Sequence, residues 1–384
     1  MQLGFIDFSR DERNKILATL DLLGEHTALD ELGIGTIRDA YADILFPGIS
    51  TIQTRAKYFV LIPHLFNIAA IHQFSNGREL HKWLTNREDK LVETLVRNSG
   101  DEYGIIGSRA LQQQRAVKQK PSSIYWNGLR TFGILRDSKA SISAVCNAAC
   151  AIAKRKSNVK LKADSETFDD MTADSAEFTL FSPISPDYEL DTAITINLTH
   201  KEAAYLADKI TNATSSKGTL LAFLIINSLN CDSFDEIPTD ILPQTIRDDY
   251  LRAKAFSDFI FGAHIRYNVI YSEYRDTDMA VKFTAWRDEF DARNFELTDI
   301  LTRVSCNYAT GKFCESFLAE VRKNDTDAID ELLITREIAV KAERAKLRKP
   351  TEYPYARPVY NNKLDFRFGT AKTIISDIIS GLEQ

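Results

Sequence analysis

Apolar residues recur three or four positions apart along most of the chain, the spacing of helices that bury one face. The longest such run covers residues 244–275, where Ile246, Tyr250, Ala253, Phe256, Ile260, Ala263, Tyr267, Ile270 and Tyr274 keep the period throughout. At 1.5 Å per residue it predicts a spine about 45 Å long. Shorter periodic runs predict helices over 10–24, 78–97, 141–154, 281–290, 297–304, 313–321 and 328–347, with a last amphipathic helix near the C-terminus. Residues 219–229 are strongly apolar and read as a buried helix, with a strand as the alternative for so short a run. Residues 108–119 read as a thinly apolar one. Ser9 with Glu12, and Thr199 with Glu202, have the spacing of capping boxes that open helices. Strand patterns are few and short: LGFIDF, AITINL and LDFRF.

The densest set of unusual choices lies at residues 31–63, ELGIGTIRDAYADILFPGISTIQTRAKYFVLIP. Ile37, Ala40, Tyr41, Ile44 and Leu45 predict a short helix, which Phe46-Pro47-Gly48 stops. Ser50 or Thr51 is placed to cap a second helix from Ile52 through Phe59 to Ile62, kinked or restarted at Pro63. On these two helices Arg38, Asp39 and Asp43 are expected to meet Arg55 or Lys57 across the corner. That polar network is structural, fixing the corner, or else a functional site.

Further on, PSSIYWNGLRTFGIL predicts a helix with Ile124, Tyr125, Gly128, Leu129 and Phe132 on one face and Gly133 at its C-terminal cap. With the helix that follows, this stretch has a winged-helix-like rhythm. The fold class expected is therefore mainly α: a two-lobed helical protein with a few short strands. Its parts are a basic N-terminal domain (1–156), an acidic Ser/Asp/Pro-rich linker or excursion (157–192) and a helical C-terminal domain (193–384).

Charge sharpens that division. The net charge is −6, yet residues 97–160 hold twelve Lys/Arg against three Asp/Glu, and residues 161–200 hold nine acids against one lysine. Arg115, Lys118, Lys120, Arg130 and Arg136 bracket the 121–135 helix, making it the best candidate surface for nucleic acid or an acidic partner. Arg115 and Lys118 share a helical face in this reading. The apolar runs are too short to cross a bilayer. The opening MQLGFIDFSRDERNK lacks the apolar core of an export signal. Five cysteines without a CxxC pair fit a reducing compartment, so a cytoplasmic location is expected.

Catalytic signatures are scarce. No HExxH and no Cys/His zinc spacing occurs, and GIGTIRD lacks the third glycine of a dinucleotide loop. Glu88-Asp89-Lys90 has the Glu-x-Lys form of some nucleases but sits in a helical stretch read as solvated. Neither cofactor nor metal is expected. Cys146 and Cys150 read as small buried residues of a helix.

GFIDFS, the 31–59 stretch, PSSIYWNGLRTFGIL and the closing KLDFRFGTAKTIISDI resemble an uncharacterised bacterial family of unknown function. The resemblance implies a setting among antiphage defence genes, beside helicases and phospholipase-D-like proteins. The function expected is a non-enzymatic accessory or adaptor subunit contacting DNA, RNA or a helicase or nuclease partner. The alternative is an enzyme of unrecognised class with its site around Arg38, Asp39, Asp43 and Arg55.

Overall fold

The computed structural model describes residues 30–384 except 70–71, 73, 101, 114, 116, 164–179, 183 and 185–191. The capping box at Ser9, the strand at LGFIDF and most of the acidic segment lie outside the described residues. The described chain is mainly helical, and its isolated β contact is the antiparallel bridge between Leu135 and Phe181.

In chain order the helices are α1 (Gly35–Leu45), α2 (Tyr58–Ala69), α3 (Gly77–Ser99), α4 (Ser108–Gln112), α5 (Pro121–Thr131), α6 (Ile142–Ala163) and α7 (His200–Asn212). Then come α8 (Leu220–Ile226), α9 (Gln244–Tyr271), α10 (Thr277–Glu289), α11 (Leu297–Arg303), α12 (Tyr308–Lys323), α13 (Thr326–Lys341) and α14 (Phe368–Leu382). Chain contacts separate two compact units. One comprises Met1–Ala40 and Arg252–Leu364, the other Tyr41–Leu251 and Asp365–Gln384.

The first unit is built on aromatic packing along α9. Phe259 stacks on Phe295 at 4.8 Å between ring centres and meets Phe317 at 5.3 Å. Gly262 leaves room for the Trp286 ring of α10, because a β-carbon there would lie 2.3 Å from it. The indole N–H of Trp286 donates to Asp258 O. Two buried carboxylates tie α13 to α9: Asp330 accepts from Arg266 Nε and Nη2, and Glu337 accepts from Tyr267 Oη at 2.7 Å. Glu337 also accepts the backbone N–H groups of Lys346 and Leu347, satisfying the turn beyond its own helix.

The second unit buries α2 on nearly every side; Tyr58, Phe59, Val60, Leu61 and Ile62 are all within 1% of full burial. Phe59 packs against Tyr125 and Phe132, and Gly128 of α5 sits where a β-carbon would be 2.6 Å from the Phe59 ring. Pro63 lies inside α2, which runs on without a break to Ala69. The capping box at Thr199 and Glu202 opens α7 as expected. Cys146 and Cys150 are buried on α6.

Several predicted elements differ, each for a visible reason. The second corner helix starts at Tyr58, not near Ile52, because the preceding backbone bonds to side chains. Gln53 takes Ser50 N and donates to Gly48 O, while Tyr125 Oη takes Thr54 N and Arg55 N. AITINL is not a strand: Asn98 Nδ2 donates to Thr192 O and Ile194 O, and Ile196 N donates to Ser99 Oγ. LDFRF cannot extend, since Phe366 and Arg367 have positive φ. The 108–119 helix ends at Gln112, having little apolar surface to bury; Leu111, its one large apolar residue, is exposed.

Candidate nucleic-acid interface

Residues 51–57 form a turn whose geometry is set by Tyr125. Its hydroxyl accepts from Thr54 N and Arg55 N and donates to Arg55 O at 2.8 Å. The turn thereby aims two cations inward. Arg55 Nε meets both carboxylate oxygens of Asp377 on α14, at 2.9 and 3.0 Å. Its other nitrogens donate to Tyr103 O, Glu102 Oε2 and Asn197 Oδ1. Burial works against the Arg55 charge, and the bonds to Asp377 and Glu102 outweigh it, so its pKa is raised further. Lys57 donates to Glu202 Oε2 at 2.6 Å and to Asn197 O. Burial pulls its pKa below the usual lysine range despite the opposing carboxylate.

The predicted network is thus distributed over separate partnerships. Asp43 pairs with Arg367, and Arg38 with Asp39 beside it in sequence. The carboxylates that answer Arg55 and Lys57 come from Asp377, Glu102 and Glu202 rather than from α1.

The turn fastens a second segment, residues 102–108. Thr54 Oγ1 donates to Gly104 O at 2.6 Å, Arg55 holds Tyr103 O, and Ile106 N donates to Tyr58 Oη. Gly104 and Gly107 both have φ near +90°. A β-carbon on Gly104 would also lie 2.7 Å from Arg55 Cγ, and one on Gly107 2.6 Å from Val117. With its backbone pinned from below, the segment presents Tyr103 outward, 76% exposed. A groove of about 620 Å³ runs along it, lined among others by Thr54, Glu102, Tyr103, Arg109 and Gln112.

The basic residues flagged from sequence do not act as one face. Arg115 and Lys118 are exposed and adjoin this groove: Arg115 N donates to Ala110 O, and Val117 covers Gly107. They lie beyond the end of α4, not on one helical face. Lys120 is tied to Asp89 at 2.5 Å. Arg130 donates to Ser138 O and lines a different cavity, about 700 Å³, with Lys209. Arg136 is exposed beside the Leu135–Phe181 bridge. Helix α5 buries Pro121, Ser122, Ile124, Tyr125, Trp126, Gly128 and Leu129, and turns Ser123, Asn127, Arg130 and Thr131 outward.

Glu88 is buried rather than solvated. Its carboxyl takes Ser122 N at 2.6 Å and contacts Ser122 Oγ at 3.1 Å, capping α5 from a neighbouring helix. Burial pushes its pKa up to about 7. Both Ser122 bonds donate to the carboxylate and oppose that rise, so burial outweighs them.

Among the described residues no three His, Cys, Asp or Glu side chains are grouped to hold a metal, and no helix is long and apolar enough to cross a membrane. Sequence reading missed Tyr103, Arg109, Asn197 and Asp377. The available signal was the glycine spacing of SGDEYGIIGSR, whose Gly100, Gly104 and Gly107 all take positive φ.

A family model described as a family of unknown function, DUF6361, matches residues 1–294. The chain belongs to the DUF6361 family. The match covers the turn, the groove and Arg109, Arg115, Lys118, Lys120, Arg130 and Arg136, while Arg367 and α14 with Asp377 lie beyond it. No curated protein matches the chain, and no solved structure does.

Proposed function

We propose that this DUF6361 protein is a non-enzymatic binding subunit that contacts nucleic acid through the basic surface around residues 102–118. The observation that carries the reading is the exposure of Arg109, Arg115 and Lys118 beside a groove whose one described carboxylate, Glu102, is already answered by Arg55. Three cations with no carboxylate partner among the described residues give a local field that favours phosphate. The buried charges of the turn are spent on holding the segment in place, which fits a binding role. In the defence setting that the family resemblance implies, a helicase, nuclease or phospholipase-D-like partner supplies the chemistry.

Electrophoretic shifts of labelled duplex and single-stranded oligonucleotides, with purified protein at low salt, test the reading. Binding that weakens in the double variant R115A/K118A is expected. Absence of any shift at low salt overturns it and leaves an acidic protein surface as the partner.

A further inference from the structure

We infer that the groove along residues 102–112 is a site for single-stranded nucleic acid, with an unstacked base lying on the Tyr103 ring and the neighbouring phosphate at Arg109. This rests on the reading of the chain as a nucleic-acid-binding subunit and names the form of the ligand.

Three features point to a single strand. First, Tyr103 is 76% exposed although its own backbone carbonyl is held by Arg55, so the ring is fixed at its root and free at its face. An aromatic face offered to solvent is used by a base only when that base is out of a duplex, where base faces are already stacked. Second, aromatic and cation share one recess: Tyr103, Arg109 and Gln112 line the same 620 Å³ groove, with Arg115 and Lys118 just past its end. Bases on aromatic rings with phosphates on flanking cations is the arrangement of single-strand binders. Third, the segment is preorganised. Thr54, Arg55 and Tyr58 hold Gly104 O, Tyr103 O and Ile106 N, and the turn carrying them is fastened by Tyr125. A ring already in place loses little freedom on binding. Glu102 would repel phosphate if free, but Arg55 sits 3.3 Å from it.

The test uses the full chain with fluorescein-labelled single-stranded and duplex oligonucleotides of the same sequence, read by anisotropy. Tyr103→Ala is expected to weaken single-strand binding about tenfold and to leave duplex binding within twofold, whereas Tyr103→Phe keeps wild-type affinity. Arg109→Ala is expected to weaken the single-strand complex with a smaller salt dependence. Single-strand binding that is indifferent to Tyr103→Ala overturns this inference and leaves the broader nucleic-acid reading standing. Lack of binding to either oligonucleotide at low salt overturns both. Tyr103 is largely in solvent, so its truncation leaves the core intact, and a circular dichroism melt of each variant verifies this.

Discussion

Arg55 and Asp377 are 322 positions apart, yet Arg55 Nε meets both Asp377 oxygens at 2.9 and 3.0 Å, with both side chains about nine-tenths buried. Asp377 uses one of those oxygens again to accept Ala56 N at 2.8 Å. The last helix of the chain therefore fixes the turn that holds the Tyr103 segment, and stability and the proposed binding surface are linked through one ion pair.

Removing either partner strands a buried charge. Arg55→Ala and Asp377→Ala are each expected to lower unfolding free energy by about 3–5 kcal/mol. The double variant should lose clearly less than the sum, since the penalty for an unpaired charge is then absent. Urea denaturation of the two single variants and the double variant measures this. Additive losses would mean that the two residues act independently.

Gly104 gives a milder probe of the same clamp. Gly104→Ala places a methyl group at positive φ and against Arg55 Cγ, and about 1–3 kcal/mol of strain is expected. Part of it will be relieved by releasing the segment, so oligonucleotide affinity should fall as well. Thermal melting and anisotropy on this variant check both effects.

Glu88 predicts a loss of stability as pH rises from 4.5 to about 7. Its folded pKa of about 7 exceeds its ordinary 4.5, so its contribution is full below 4.5 and is lost as pH rises through 7. At about 1.4 kcal/mol per unit the loss is about 3 kcal/mol. Glu88→Gln keeps an acceptor for Ser122 N and cannot ionise, so its urea midpoint should hold steady where the wild type declines.

His264 predicts the opposite slope. Both ring nitrogens lack a hydrogen-bond partner among the described residues, the residue is 2% exposed, and burial lowers its pKa to about 4 from 6.5. Stability is then full above 6.5 and falls as pH drops towards 4, again by about 3 kcal/mol. The ring stacks on Tyr360 at 5.0 Å, so His264→Phe should retain the packing and flatten the acid side of the profile. Unfolding of this variant from pH 4 to 7 measures it.

Helices were legible in the sequence wherever one face is buried, because apolar spacing records that directly: 244–275 became Gln244–Tyr271, and Thr199 with Glu202 formed the box. Less legible were segments whose backbone bonds go to distant side chains. Residues 51–57 look helical by spacing, but Tyr125 takes the N–H groups of Thr54 and Arg55; 193–198 alternate like a strand, but Asn98 donates to Ile194 O and Ser99 Oγ accepts Ile196 N. The candidate site was half visible. Charge counting singled out Arg115 and Lys118, which lie exposed, while Asp377 as the partner of Arg55 leaves no trace in local pattern. Tyr103 likewise resembles any buried aromatic until the glycines around it are seen to turn its ring outward.

The salt dependence of single-strand binding tests the central claim most directly. With the wild type, log affinity should fall linearly with log salt, at a slope of about 0.7 per phosphate neutralised. In the triple variant R109A/R115A/K118A the slope should shrink by about 2. An unchanged slope in that variant would place the phosphate contacts elsewhere on the molecule and contradict the account.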